Sequence, residues 1–216
     1  MQGEVDEAHR SPMSGDLVLH PLVAEAAQGR LPRWAVAGTK RREHMERVAE
    51  LLRDWSKARC ESPIEVERWA ALGFLHDALR DAKPNDLRPY VEASMAYLPG
   101  SMLHGPATAR MLREGGVTDE TLLTAVKYHT IGTADFGVIG KALYAADFLE
   151  PGREFCQKWR CELRAIMPEQ LDTVVCKIVS ARIQHLIDKE RPVRAETLDF
   201  WNTLVKGRSW VSASEP

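Results

Sequence analysis

Apolar residues recur at three- and four-residue steps over most of this chain, and no window alternates with period two. The pattern therefore predicts helices and no sheet. Met45, Val48, Leu51, Leu52 and Trp55 form one such stripe, within a helix predicted from Thr39 to about Arg59. Ser62-Pro63 is a start signal, with proline at the first helical position. The helix it opens runs through Trp69, Leu72, Phe74 and Leu75 to His76-Asp77, and from Ala70 to Leu75 it is apolar all round, as a central buried helix is. Three more are predicted from about Gly105 to Glu114, from Thr118-Asp119-Glu120 to about Thr130, and from Val138 to Leu149. Met167-Pro168 opens a long amphipathic helix whose stripe runs from Leu171 through Val175, Ile178 and Ile183 to Ile187. A short helix over 18–28 and a last one over 194–206 complete the set. Residues 81–103, punctuated by Pro84, Pro89, Pro99 and Gly100, read as loop, and no element is predicted between Gly152 and Met167. The expected fold is all-α in one domain: a partly disordered N-terminal extension over 1–33, a helical bundle over 34–207 and a flexible tail over 208–216.

Composition changes this picture little. Hydrophobic content of 44% and charged content of 28% are those of an ordinary globular protein. A net charge of −2 gives no support for nucleic-acid binding, yet leaves room for a small polyphosphate held by a local cluster of Lys and Arg. Cys60, Cys156, Cys161 and Cys176 form no CxxC pair, which favours a reduced cytoplasm. No apolar run is long enough to span a bilayer, and the acidic, polar N-terminus is wrong for a secretory signal. The expected partner is a small molecule, with neither nucleic acid nor membrane. Oligomeric state stays open, a homodimer included.

The chemistry lies in a spaced series: His44, His76-Asp77, His104, His129 and Asp147. All are metal-ligand types, near or within predicted helices, and in apolar surroundings an unpaired polar group costs free energy. Helical proteins build metal sites from inward side chains of facing helices. Six protein ligands exceed what one catalytic ion takes while keeping a position open for water, so two ions fit the inventory better than one. Neutral imidazole and carboxylate suit iron, zinc, manganese or nickel. His9, His20 and His185 read instead as structural histidines.

The order H…HD…H…H…D resembles the HD-domain metal-dependent phosphohydrolases. Local words are similar to one branch, the YqeK-type symmetrical diadenosine tetraphosphatases: Arg41-x-x-His44, Gly73-Phe74-Leu75-His76-Asp77, Leu103-His104-Gly105, Tyr128-His129-Thr130, and Asp147-Phe148-Leu149-Glu150-Pro151-Gly152-Arg153. The resemblance covers roughly 39–205. It implies an all-α HD bundle around two divalent or mixed-valence metal ions, commonly iron, with manganese or zinc accepting the same ligands. It also implies that His44, His76, Asp77 and Asp147 hold one ion, and that Asp77 bridges to a second held by His104 and His129. Diadenosine tetraphosphate would be split into two ADP. Arg80, Lys83 and Arg153, each just beyond a ligand-bearing segment, are the candidates to hold the remaining phosphates. Arg80 stands where the branch usually has Lys, which trades a point charge for a fork of donors. Thr130 could donate to a phosphate or cap a helix end. Asp77, Arg80, Thr130 and Arg153 are thus the groups expected at the reacting phosphates, and Glu150 either orients Arg153 or a ligand or lies at the surface. Two other readings keep the same fold: a nucleotidase or phosphomonoesterase with a different pocket, and a non-catalytic nucleotide-binding module.

Overall fold

Helix ends in the computed structural model, which describes residues 18–206, follow from local chemistry. The helices are α1 (Pro21–Ala27), α2 (Thr39–Ala58), α3 (Pro63–Leu75), α4 (Pro84–Leu87), α5 (His104–Glu114), α6 (Glu120–Tyr128), α7 (Val138–Leu149), α8 (Gln157–Ala165), α9 (Leu171–Asp188) and α10 (Ala195–Val205). His20 caps α1 by accepting from the Leu22 N–H, Ser62 caps α3 from the Glu65 N–H, and Asp119 caps α6 from the Leu122 N–H. There is no strand among the described residues. His9, and the stretches expected to be disordered at either end, lie outside the described residues.

Two elements depart from the pattern. The loop-like stretch before α5 holds α4 and three 3-10 turns, at 88–90, 93–95 and 100–102. Helix α8 was not expected at all. It starts at Cys156 in a left-handed conformation (φ 52°) and carries no side-chain cap. Its inward face presents Arg160, where a core stripe would have an apolar residue.

Helix α3 is central, with α2, α1 and α7 packed around it. Glycine makes the closest of these contacts: a Cβ on Gly73 would stand 2.4 Å from the backbone of Ala49 on α2. The main core gathers Leu52, Trp55, Leu72, Leu75, Leu143 and Val175 from four helices. A smaller apolar cluster of Leu79, Leu87, Met95, Leu98, Leu103, Ala107 and Ile131 lies under the turns between α3 and α5. No helix among the described residues is long and apolar enough to cross a membrane.

Candidate metal centre

Five helices bring their ends or inner faces to one buried point. His44 lies on α2, His76 and Asp77 follow α3, His104 opens α5, His129 ends α6, and Asp147 lies in the last turn of α7. The close approach at Gly73 brings α3 against α2 and so His76 against His44. A second glycine does the same for the other half: a Cβ on Gly105 would stand 2.9 Å from the Lys127 carbonyl and 3.2 Å from the His129 ring.

The six side chains predicted as ligands converge. His44, His76 and Asp77 form one group able to hold a metal ion, and Asp77, His104 and His129 form another. Asp77 divides its oxygens between them. Oδ1 lies 3.1 Å from His104 Nε2 and 3.5 Å from His129 Nε2, while Oδ2 lies 3.6 Å from both His44 and His76 Nε2. Asp147 Oδ1 is 3.3 Å from His44 Nε2.

The tautomers decide whether this set fits a metal. His76 Nδ1 lies 2.9 Å from the Gly73 carbonyl and His129 Nδ1 lies 2.8 Å from the Val126 carbonyl. A carbonyl only accepts, so both Nδ1 atoms are donors, and each neutral ring turns an Nε2 lone pair toward the centre. His44 Nδ1, 3.3 Å from Glu150 Oε1, is set in the same way. The Nε2 atoms of all four rings therefore meet at the centre: His44 and His76 Nε2 are 3.3 Å apart, and His104 and His129 Nε2 are 3.1 Å apart. Two imidazole nitrogens this close repel unless a proton or a metal cation lies between them. Metal-ligating histidines characteristically hand their other N–H to a carbonyl or carboxylate, as three of these four do. The residues fit metal ions.

Electrostatics agree. Burial pushes His76 down to about 4, against the pull of Asp77, so it is neutral near pH 7. Burial also lowers His104, helped by His129 and Arg80. Burial alone would raise Asp77, but His76, His104 and His129 hold it well below the usual carboxylate range. For His44, burial is outweighed by Asp147, Glu150 and Asp77, which lift it to about 9. The proton it would keep stands in for the positive charge that these carboxylates demand.

Glu150 is buried, not exposed. Besides His44 it accepts from Arg47 Nε at 2.6 Å and the Gly152 N–H at 2.7 Å. Burial works against its charge, yet these donors bring it down to about 2. Arg153 donates to Asp147 Oδ1 at 2.6 Å and lies 3.5 Å from Glu150. Thr130 Oγ1 is 3.2 Å from His129 Nε2, and its carbonyl is held by Arg182 of α9. Arg80 is half-buried, and its charge reaches His104. Lys83 is exposed and faces a separate cavity.

Sequence reasoning missed four cations: Lys40, Arg41, Arg47 and Arg182. Arg41 donates to Asp77 Oδ2 at 2.6 Å, and with Lys40 and Arg153 it lines a cavity of about 540 Å³ that opens onto His44. Arg182 falls within the α9 stripe itself, four residues after Ile178 and three after Val179, and was missed because a stripe counts only its apolar members. Arg41 lay within a motif already noted, but an Arg in a first helical turn reads as a solvated face.

The sequence profile of the HD domain matches residues 41–189, more than half of the chain. The chain belongs to the HD domain family. The curated HD relatives include the symmetrical bis(5'-nucleosyl)-tetraphosphatase of Staphylococcus aureus, 30% identical over 172 residues, which are 76% of this chain and 86% of that protein. The enzymes of the same name from Bacillus subtilis and Halalkalibacterium halodurans are 33% and 26% identical, over 48% and 61% of this chain and 55% and 73% of theirs. The HD fold recurs in a crystal structure from Clostridium acetobutylicum, described as that of a predicted HD superfamily hydrolase involved in NAD metabolism. Its TM-score is 0.70 at 23% identity, over 86% of this chain and 96% of that one.

Proposed function

We propose that this HD domain is a metal-dependent phosphohydrolase that splits dinucleoside tetraphosphates, diadenosine tetraphosphate first among them, into two nucleoside diphosphates. One observation carries the reading: two histidine groups share Asp77 beside a cavity lined by Lys40, Arg41 and Arg153. The names of the three curated relatives support the substrate class. His44, His76, Asp77 and Asp147 would hold one ion, and His104 and His129 a second, with Asp77 between them. Iron is the metal proposed, with manganese and zinc as the other candidates.

Ions in these positions would lower the pKa of a bound water and offset charge building on a phosphoryl oxygen. The chain's own part is positioning. Lys40, Arg41 and Arg153 bind the polyphosphate and set one inner phosphorus over the centre. Arg80 adds charge from the His104 side. Thr130, fixed through Arg182, donates its hydroxyl to a phosphoryl oxygen, and Glu150 keeps the His44 ring aimed inward. The proposed location is a reducing cytoplasm, supported by four free thiols, three of them exposed.

Metal analysis of purified protein, followed by product chromatography with diadenosine tetraphosphate, tests the reading. Two ADP per substrate in metal-replete protein is the expected result. Release of inorganic phosphate from a nucleoside monophosphate would move the assignment to a nucleotidase. Tight binding with no turnover would make the domain a nucleotide-binding module.

A further inference from the structure

Beside the cavity lined by Lys40, Arg41 and Arg153 lies a second one, of about 390 Å³, with a different character. Its walls are Trp34, Val36, Leu79, Tyr90 and Met111, with Lys83 at the rim. Asp81 lines both cavities and forms the partition between them. That partition is tied down. Asp81 Oδ2 accepts from the Gly38 N–H at 2.9 Å, and Oδ1 lies 3.6 Å from Arg41 Nε. The Val36 N–H donates to the Ala78 carbonyl at 2.7 Å, and the Asp81 N–H to the Val36 carbonyl at 3.3 Å. The segment 34–41 therefore runs along both sites, giving Trp34 and Val36 to one and Lys40 and Arg41 to the other.

The contrast in lining has a chemical meaning. Cations beside the metal centre suit phosphates. Aromatic rings, a thioether and aliphatic carbons next door suit a flat, apolar-faced group that polar surfaces would not hold. Val36 is 45% exposed, one of few large apolar side chains in the described residues left that open. The volume is at the small end of ligand pockets, roughly 300–1,000 Å³, as one nucleoside requires. Asp86 on the same wall offers a carboxylate to a ribose diol, the contact acidic side chains make in other nucleotide sites.

We propose that this cavity holds the nucleoside of one half of the substrate, its base against Trp34 and Tyr90, while the attached phosphates cross Asp81 to Lys40, Arg41 and the metal centre. This rests on the phosphohydrolase reading above. Lys83 then serves at the nucleoside end, and not beside the reacting phosphorus.

Calorimetric titration of metal-loaded protein with ADP and, separately, with inorganic diphosphate tests the assignment in Tyr90→Ala and in Met111→Trp, which fills the cavity from α5. Both variants should bind ADP roughly ten-fold more weakly, the scale of one lost base–aromatic stack. Their affinity for inorganic diphosphate should match that of the unmodified protein, which also shows that the site has folded. ADP affinity unchanged in the variant that keeps its diphosphate affinity would overturn the pocket, as would equal losses for both ligands in both variants. If the variants lose only ADP affinity while the unmodified protein releases no ADP from diadenosine tetraphosphate, the nucleoside site stands and the phosphohydrolase reading falls. Turnover in the unmodified protein with ADP binding intact in the variants has the opposite meaning.

Discussion

Asp77 carries more of the centre than any other side chain, because one carboxylate faces four imidazoles. Asp77→Ala should abolish turnover and strip metal from both halves, measured as metal per protein after gel filtration; near-full metal content would remove Asp77 from the ligand set. Arg153 is a different kind of residue. It lines the phosphate cavity and donates to Asp147. Arg153→Ala should cost on the order of 1.5–3 kcal/mol, the value of a charge-assisted contact, seen as a raised KM for diadenosine tetraphosphate. A minimal phosphomonoester should be barely affected, and equal losses on both substrates would make Arg153 structural. The imidazoles and carboxylates were legible in the sequence because their residue types, order and apolar flanks admit few other uses. Arg41, Arg182 and the aromatic pair were not. A guanidinium or a ring acquires a role only from what lies opposite it, and that is set by packing between distant segments.

At the scale of elements, caps and glycines do most of the positioning. Asp119 caps α6, which carries His129 at its far end, and it also takes a two-pronged contact from Arg68 at 2.6 and 2.7 Å. Burial works to raise its pKa, but Arg68 and the Leu122 N–H hold it below the ordinary carboxylate range. A depressed carboxylate stabilises the fold fully above its unfolded value, about 4. That contribution is lost as pH falls through the folded value. Asp119→Ala should therefore cost about 2 kcal/mol at pH 7 in denaturant unfolding, with the gap to the unmodified protein narrowing below about pH 4. A gap that stayed constant into acid would show that the cap works without its charge. Helices α2, α3, α7 and α9 were legible because their stripes are long and their start signals plain. Helix α8 was not, since its buried face is built on Arg160, held between the rings of Phe148 and Phe155 at 4.1 and 4.2 Å. Periodicity counts apolar residues and cannot register a cation packed between aromatics.

For the whole molecule, the centre is a fastener. α2, α3, α5, α6 and α7 meet there through buried groups that face one another with excess lone pairs and negative charge. Removing metal should lower stability by the linkage amount, about 2.7 kcal/mol where free metal stands at one hundred times its dissociation constant. For a chain of this size that is a fall in thermal midpoint of roughly 5–10 °C on chelation, recovered on adding metal back. An unchanged midpoint would mean that the helices hold the site open unaided. The all-α architecture and the main core could be read from the chain. The smaller cluster under the turns could not, because its members come from short segments too brief to show a period.

The proposed ligands begin at His44 and finish at Asp147, and Glu150, which orients the first of them, comes later still. During synthesis at roughly 5–20 residues per second, a nascent chain offers an incomplete ligand set for seconds before the last carboxylate emerges. Early segments can then trap any soft or abundant ion, but only weakly and reversibly. The proposed ligand set is not complete until α7 brings in Asp147. Metal choice therefore falls after translation, and the winner is the ion whose preferred geometry suits a finished cage and whose supply is ample at that moment.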